Sequence, residues 1–115
     1  MAIKVEKSRG LTKEEALLEA TSNGLIALVQ NTNEGESEPT HWHKWDTHLY
    51  LVEGEFRNLD PDNPDLVLEP GDFCIVEKET LHAGLSAKPC TLVVAVTSEL
   101  LSGVTIQEDP AQLQN

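Results

Sequence analysis

Basic residues are scarce in this chain. Its 115 residues hold eight lysines and arginines against 20 aspartates and glutamates, for a formal net charge of −12 at pH 7. This excess of negative charge argues against binding to the phosphate backbone of nucleic acids. An anionic ligand would need a local positive centre, such as a metal ion or an arginine.

Cysteines are also few, and no C-x-x-C pair is present. This absence argues against a thiolate zinc site and against a thioredoxin-like redox site. Cys74 and Cys90 each lie in an apolar stretch, where a free cysteine behaves as a small apolar residue. We therefore expect two buried thiols and no disulfide. The sequence also lacks a G-x-S-x-G nucleophile elbow and a glycine-rich phosphate loop.

Long apolar runs are missing as well. The start of the chain, MAIKVEKSRG, has no apolar core of the kind found in signal peptides. No run reaches the length needed to cross a membrane. We expect a cytoplasmic protein without a membrane partner, and the length predicts a single domain over residues 1–115.

One helix is expected near the start of the chain. Thr12 followed three residues later by Glu15 is typical of a capping box, and Asn23-Gly24 is a typical helix end. Beyond it, apolar stretches alternate with turn residues at a spacing of about eight to twelve residues, which favours an all-β sandwich or barrel. The predicted parts are an N-terminal strand and helix (2–22), a barrel core (about 25–98) and a C-terminal tail (99–115).

The four histidines fall into two short clusters, with His41, His43 and His48 in the first and His82 in the second. Neutral imidazole is the commonest metal ligand in proteins. Two histidines at positions i and i+2 of a strand share a face and lie roughly 6.6 Å apart. Both rings can then reach one ion with bonds of about 2.1 Å. The spacing therefore predicts a metal site.

Two segments match the paired motifs of a known family. The first motif reads His-x-His, three or four residues, Glu, six residues, Gly; here His41 and His43 are followed by Thr47 in the glutamate slot and by Gly54. The second reads Gly, five residues, Pro-x-Gly, two residues, His; here Gly71 leads to His82. Glu77 and Glu79 replace the usual proline and glycine. Their carboxylates are expected either at the mouth of the pocket or in solvent.

On these residues the chain resembles the cupin superfamily, in its small single-domain "cupin 2" form. The resemblance implies an all-β double-stranded β-helix, a jelly-roll-like barrel, here with a short N-terminal helix. It also implies that His41, His43 and His82 are metal ligands. Homodimers are common among small cupins, so the resemblance implies a homodimer too.

The glutamate slot of the first motif has two candidate occupants. A gap-free count gives it to Thr47, whereas a one-residue shortening before Gly54 gives it to His48, which would then be a fourth ligand. A slip of one residue on a strand reverses the face that a side chain takes, so both cannot point inward. Either way the protein supplies no carboxylate there, and a histidine-only site is a stronger Lewis acid that favours an anionic or chelating substrate.

The resemblance and the ligand type limit the range of metal ions that we expect, but they do not identify one ion. Iron sites of cupin dioxygenases use three histidines with open positions, and small manganese or copper cupins use four. Imidazole suits Fe, Mn, Ni, Cu and Zn alike, so we expect a divalent transition metal, with Fe or Mn first. Because ligating histidines must be deprotonated, metal affinity is expected to fall below about pH 6.

Several residues beside the histidines are candidates for lining the pocket. Which residues of the strand after His48 face inward depends on the register: either Leu49 and Leu51 or Tyr50 and Val52. Arg57 is a candidate anchor for a substrate carboxylate or a partner in a surface ion pair. The full set of pocket candidates is Thr47, Trp45, Tyr50, Arg57 and Phe73.

These features favour a metal-dependent cupin enzyme with a small-molecule substrate. Dioxygenase-type oxidation of a small anionic substrate is the first hypothesis, and a metal-dependent isomerase or lyase is close behind. The alternative from another class is a non-catalytic cupin that binds a small molecule or has a regulatory role. No DNA-binding helices accompany the barrel, which counts against a transcription factor.

Overall fold

The computed structural model describes residues 2–97. The predicted C-terminal tail, residues 99–115, lies outside the described residues. The elements are β1 (Ile3–Glu6), α1 (Lys13–Ser22), β2 (Ile26–Thr32), β3 (Ser37–His41), β4 (Thr47–Glu53), β5 (Phe56–Arg57), β6 (Val67–Leu68), β7 (Phe73–Val76), β8 (His82–Ser86) and β9 (Cys90–Val96).

The strands form two antiparallel sheets that share one apolar core. One sheet has the order β1-β7-β4-β9-β2 and the other the order β3-β8-β5-β6. Leu51 and Leu92 of the first sheet cluster with Leu68 of the second, and all three are at most 2% exposed. The prediction of an all-β, jelly-roll-like barrel with a short N-terminal helix is confirmed. Within residues 2–97, no helix has the length and apolar character needed to cross a membrane.

Strand β4 settles the register that the sequence left open. Leu49 and Leu51 face the core between the sheets. Tyr50 and Val52 face the other way, toward α1. Successive side chains of a strand alternate between its two faces, so Thr47 belongs to the interior row of β4. Its pairing with Val96 of β9 and Val76 of β7 fixes that row in the middle of the sheet.

Helix α1 covers the outer face of the five-stranded sheet. The predicted capping box is present: the Thr12 hydroxyl accepts from the Glu15 backbone N–H at 3.1 Å, and the Glu15 carboxylate accepts from the Thr12 N–H at 3.0 Å. Ala16 and Ala20 are fully buried against the sheet. The helix ends at Ser22 and Asn23 caps it, in agreement with the predicted stop at Asn23-Gly24.

The predicted N-terminal strand is confirmed as β1, which pairs with β7 of the same chain. Cys74 and Cys90 are buried free thiols, also as expected. Burial raises the pKa of the Cys74 thiol to about 12, so this cysteine stays protonated at neutral pH and is a poor nucleophile.

The motif glycine Gly54 ends β4 in a conformation that excludes a side chain. Its φ is +99°, and a Cβ there would lie 2.5 Å from the Pro89 carbonyl oxygen and 2.7 Å from the Cys90 sulfur. Gly24 also has a positive φ, +79°, but a Cβ there would meet nothing within 4 Å. A side chain at Gly24 would therefore meet backbone strain alone, whereas one at Gly54 would meet both strain and steric crowding.

We predict that Gly54→Ala destabilises the fold by more than about 3 kcal/mol, because backbone strain and a clash with fixed backbone atoms add together. Gly24→Ala should cost only about 1 kcal/mol, the strain alone. Urea unfolding followed by tryptophan fluorescence measures both. Equal losses in the two variants would contradict the steric part of the explanation.

Candidate metal centre

Three histidines meet where β3 and β8 pair. His41 ends β3 and His82 begins β8, and the two are direct partners in the ladder. His43 follows two residues after His41, and its carbonyl accepts from the Glu79 N–H at 2.8 Å, which holds the segment against the turn before β8. All three residues are at most 6% exposed. Their nearest ligand nitrogens lie within 4.8 Å of one another, so together they could hold a metal ion.

Backbone carbonyls orient two of the rings. His41 Nδ1 lies 2.6 Å from the Pro39 carbonyl oxygen, and His82 Nδ1 lies 2.8 Å from the Thr80 carbonyl oxygen. A carbonyl oxygen only accepts, so in each neutral ring Nδ1 carries the proton and Nε2 keeps the lone pair. Metal-ligating histidines usually have this arrangement, which fixes the tautomer and the direction of the free nitrogen. The residues present therefore fit a bound metal.

The turn before β8 contains a strained residue at the second-motif glycine position. Glu79 has a φ of +60°, in the left-handed region that non-glycine residues seldom adopt. Glu77 ion-pairs with Lys4 at 3.6 Å. Neither glutamate is among the residues that line the cavity beside the histidines. Although these two motif residues are replaced, His82 still lies beside His41 and His43. The turn before it keeps a strained backbone at Glu79.

Trp45 supports the His43 ring from one side. The two rings stack with centroids 5.3 Å apart and an angle of 17° between their planes. Trp45 is half-buried and is not among the residues that line the cavity. The predicted pocket residue therefore packs behind a histidine, where it restricts the rotation of the ring.

Thr47 takes the interior position at which the family motif has glutamate. It is 6% exposed and lines the cavity beside the three histidines. Its buried hydroxyl has no hydrogen-bond partner among residues 2–97. Such an orphaned group costs free energy unless a ligand or a water satisfies it.

His48 lies on the opposite face of β4 and is not part of the cluster of three histidines. Its ring packs 5.8 Å from the ring of Phe73. Burial lowers the pKa of His48, while the carboxylates of Asp46 and Glu19 oppose that shift. The strand alternation that turns Thr47 inward is what turns His48 away.

Three other predicted pocket residues lie away from the cavity. Tyr50 and Phe73 pack together under α1, with ring centroids 4.6 Å apart, and the Tyr50 hydroxyl donates to Glu19 at 2.6 Å. Both face outward for the same reason as His48. Arg57 Nε donates to the Glu55 carboxylate at 2.6 Å on an exposed edge, which is the surface ion pair considered above.

The cavity beside the histidines has a volume of about 170 Å³. Most of its lining was not predicted from the sequence. Gln30 and Thr32 enter from β2, and the Thr32 hydroxyl lies 2.6 Å from that of Ser86 on β8. Their period-two spacing on β2 was visible in the sequence, but the sheet partners that turn them inward were not. The remaining lining residues are Glu36, Ser37, Glu38, Leu49, Phe56, Leu59, Ala83, Gly84, Leu92 and Val94, together with Thr47 and the three histidines.

The electrostatics of the site keep at least one of the three histidines neutral. Burial, aided by the neighbouring His41 and His43, lowers the pKa of His82 to about 4, against a bond to the Thr80 backbone that raises it. The ring is therefore unprotonated well below neutral pH.

We predict that the metal-free protein loses stability as the pH falls from about 6.5 to 4. Over that range His82 is protonated in the unfolded chain but neutral in the folded one, so acid favours unfolding; above the range neither state binds the proton, and below it both do. The full loss from this group is about 3 kcal/mol. Urea unfolding in chelator at pH 7 and pH 4.5 should show a correspondingly smaller loss in His82→Asn. The same loss in both proteins would contradict the assignment.

A second prediction concerns the orphaned hydroxyl. Thr47→Val keeps the shape of the side chain and removes an unsatisfied polar group, so it should stabilise the metal-free protein by about 1 kcal/mol. Thr32→Val removes a hydroxyl that is hydrogen-bonded to Ser86 and should cost about 1 kcal/mol. Urea unfolding compares the two. Destabilisation by both exchanges would show that the Thr47 hydroxyl is satisfied.

Comparison with known proteins agrees with this architecture. A family model described as "Cupin domain" matches residues 28–96. An RmlC-like cupin from Shewanella frigidimarina is similar in structure, with 25% identity, a TM-score of 0.60 and coverage of 70% of this chain and 72% of that one. KdgF from a Halomonas species has 27% identity and a TM-score of 0.54, over 64% of this chain and 66% of KdgF.

A more distant structure shows the fold alone. The salicylate 1,2-dioxygenase of Pseudoaminobacter salicylatoxidans has 20% identity and a TM-score of 0.58, over 74% of this chain. The chain spans 66% of the length of KdgF and 24% of the length of the dioxygenase. No curated protein matches the sequence. The family model covers more than half of the chain, and the chain belongs to the cupin family.

Proposed function

We propose that this cupin is a metal-dependent enzyme that carries out a dioxygenase-type oxidation of a small anionic substrate. The carrying observation is the group of three buried histidines, His41, His43 and His82, whose ligand nitrogens lie within 4.8 Å of one another at a cavity. These residues would hold a divalent transition metal, with Fe or Mn first and Ni, Cu or Zn as further candidates.

When bound, such an ion supplies Lewis acidity and, if it is iron or manganese, a redox centre for reaction with oxygen. The protein's own part is to present imidazoles in a fixed orientation. The carbonyls of Pro39 and Thr80 leave Nε2 of His41 and His82 available for the metal. The low pKa of His82 keeps that ring unprotonated across the physiological range.

The charge of the cavity lining bears on how an anionic substrate would bind. No lysine or arginine is among the lining residues, all of which lie within residues 2–97, and Glu36 and Glu38 contribute negative charge. An anionic substrate would therefore depend on the metal as its positive partner. That dependence favours chelating groups, such as a carboxylate with a neighbouring oxygen, over a distant single charge.

The size and lining of the cavity support a small substrate. Its volume of about 170 Å³ is below the range of about 300–1,000 Å³ for sites that hold drug-sized ligands. Leu49, Phe56 and Leu92 give the lining an apolar part, which would limit the access of water to the reacting groups. The Thr47 hydroxyl and the Gln30 amide can orient polar groups of the substrate by hydrogen bonds.

Metal analysis of three proteins tests the centre. Wild-type protein expressed in metal-replete medium is expected to hold about one transition-metal ion per chain by elemental analysis, and His82→Ala is expected to lose it. His48→Ala is the matched control, because His48 lies on the opposite face of β4 and should leave the metal content unchanged. Wild-type protein without stoichiometric metal would overturn the proposal.

Turnover is tested separately on the metal-loaded protein. A panel of small carboxylates and diketones, followed by oxygen consumption, should yield at least one substrate whose oxidation His82→Ala abolishes and His48→Ala retains. Turnover without oxygen uptake would instead indicate an isomerase or a lyase. Binding without turnover across the panel would indicate a non-catalytic cupin.

A further inference from the structure

Glu38 reaches His41 of the histidine cluster because β3 is irregular. Glu38 and His41 are three residues apart, and in a regular strand side chains at that spacing point to opposite faces. In the structure Glu38 pairs with Gly84 and His41 pairs with His82, so three steps along β3 match two along β8. The extra residue is a β-bulge, which shifts the alternation and turns both side chains to the same side.

The residue at the bulge suits the irregularity. Pro39 follows Glu38 directly and has no backbone N–H to give to the ladder, so proline in sheets is confined to edges and bulges. Its carbonyl is the one that accepts from His41 Nδ1 at 2.6 Å. The bulge therefore orients His41 and redirects Glu38 at the same time.

The resulting contact lies at the ligand nitrogen of His41. A carboxylate oxygen of Glu38 lies 3.8 Å from His41 Nε2, and both residues line the cavity. Two donors bound to one ion with bonds of about 2.1 Å lie roughly 3.0–4.2 Å apart, depending on the angle between the bonds. The separation is thus within the range for two ligands of the same metal. The Glu38 side chain is 46% exposed, which places its carboxylate on the solvent side of the cluster.

We infer that Glu38 is a carboxylate ligand of the metal held by His41, His43 and His82. The inference rests on the proposed metal centre and deepens it. The family motif places its carboxylate on β4, where this chain has Thr47; here the negative charge would come from β3, in the other sheet. The ion would then be one unit less positive than in a histidine-only site.

Cobalt titration of metal-free protein tests the inference without any activity assay. Co(II) bound at the site gives visible absorption bands that depend on the ligand set. Glu38→Gln should weaken cobalt binding at least about tenfold and change the visible spectrum of the bound ion. Glu36→Gln makes the same change of charge at another acidic residue of the cavity. It should weaken binding by no more than about twofold and leave the spectrum as in the wild type.

The outcomes separate this inference from the metal centre itself. Equal losses in the two glutamine variants, or an unchanged spectrum in Glu38→Gln, would overturn the role of Glu38 and leave the three-histidine centre standing. Wild-type protein that binds no cobalt, or His82→Ala that binds it as the wild type does, would overturn the centre and the inference with it. Circular dichroism of each variant checks that the barrel is folded.

Discussion

The pairing of β3 with β8 is the interaction on which the candidate site depends. It makes His41 and His82 direct neighbours although they are far apart in the sequence. The residue two positions before each histidine, Pro39 or Thr80, supplies the carbonyl that fixes its ring with Nε2 free. A ladder of backbone hydrogen bonds thus sets the position of the two histidines, and the bonds that their Nδ1–H groups donate to backbone carbonyls set the direction of the rings. The cavity is the space left between this sheet and the interior face of β4.

Much of this arrangement was predictable because the two motifs are local in the sequence. The His-x-His spacing, Gly54 and His82 identified the barrel and three clustered histidines, and the capping box at Thr12 identified the helix. The motifs did not decide which residues of β4 face the interior of the barrel. Thr47 and His48 are adjacent, and only the pairing of β4 with β7 and β9 decides which of them faces inward.

The misplacement of Tyr50 follows from that single ambiguity, and its cross-strand partner Phe73 shares its face. Tyr50, like His48, faces α1, and Phe73 meets both from the neighbouring strand β7. An error of one residue in the register of a strand assigns every aromatic residue of that strand to the wrong face. Glu38 was missed for the converse reason. Simple alternation separates it from His41, and the bulge that reunites them depends on a partner strand more than 40 residues away.

Without a ligand, the residues of the site lower the stability of the folded state, and this loss indicates what the site is for. Three imidazoles lie buried together, the pKa of His82 is held near 4, and the Thr47 hydroxyl is orphaned among the described residues. Each of these features destabilises the folded state, whereas apolar side chains of similar size would fill the same space without the cost. Glu79 adds a strained backbone conformation beside them. A ligand that satisfies these buried polar groups would offset their cost at the cavity. A cation held by the three histidines would bind to their buried ring nitrogens, so the same features that weaken the empty barrel would strengthen the loaded one.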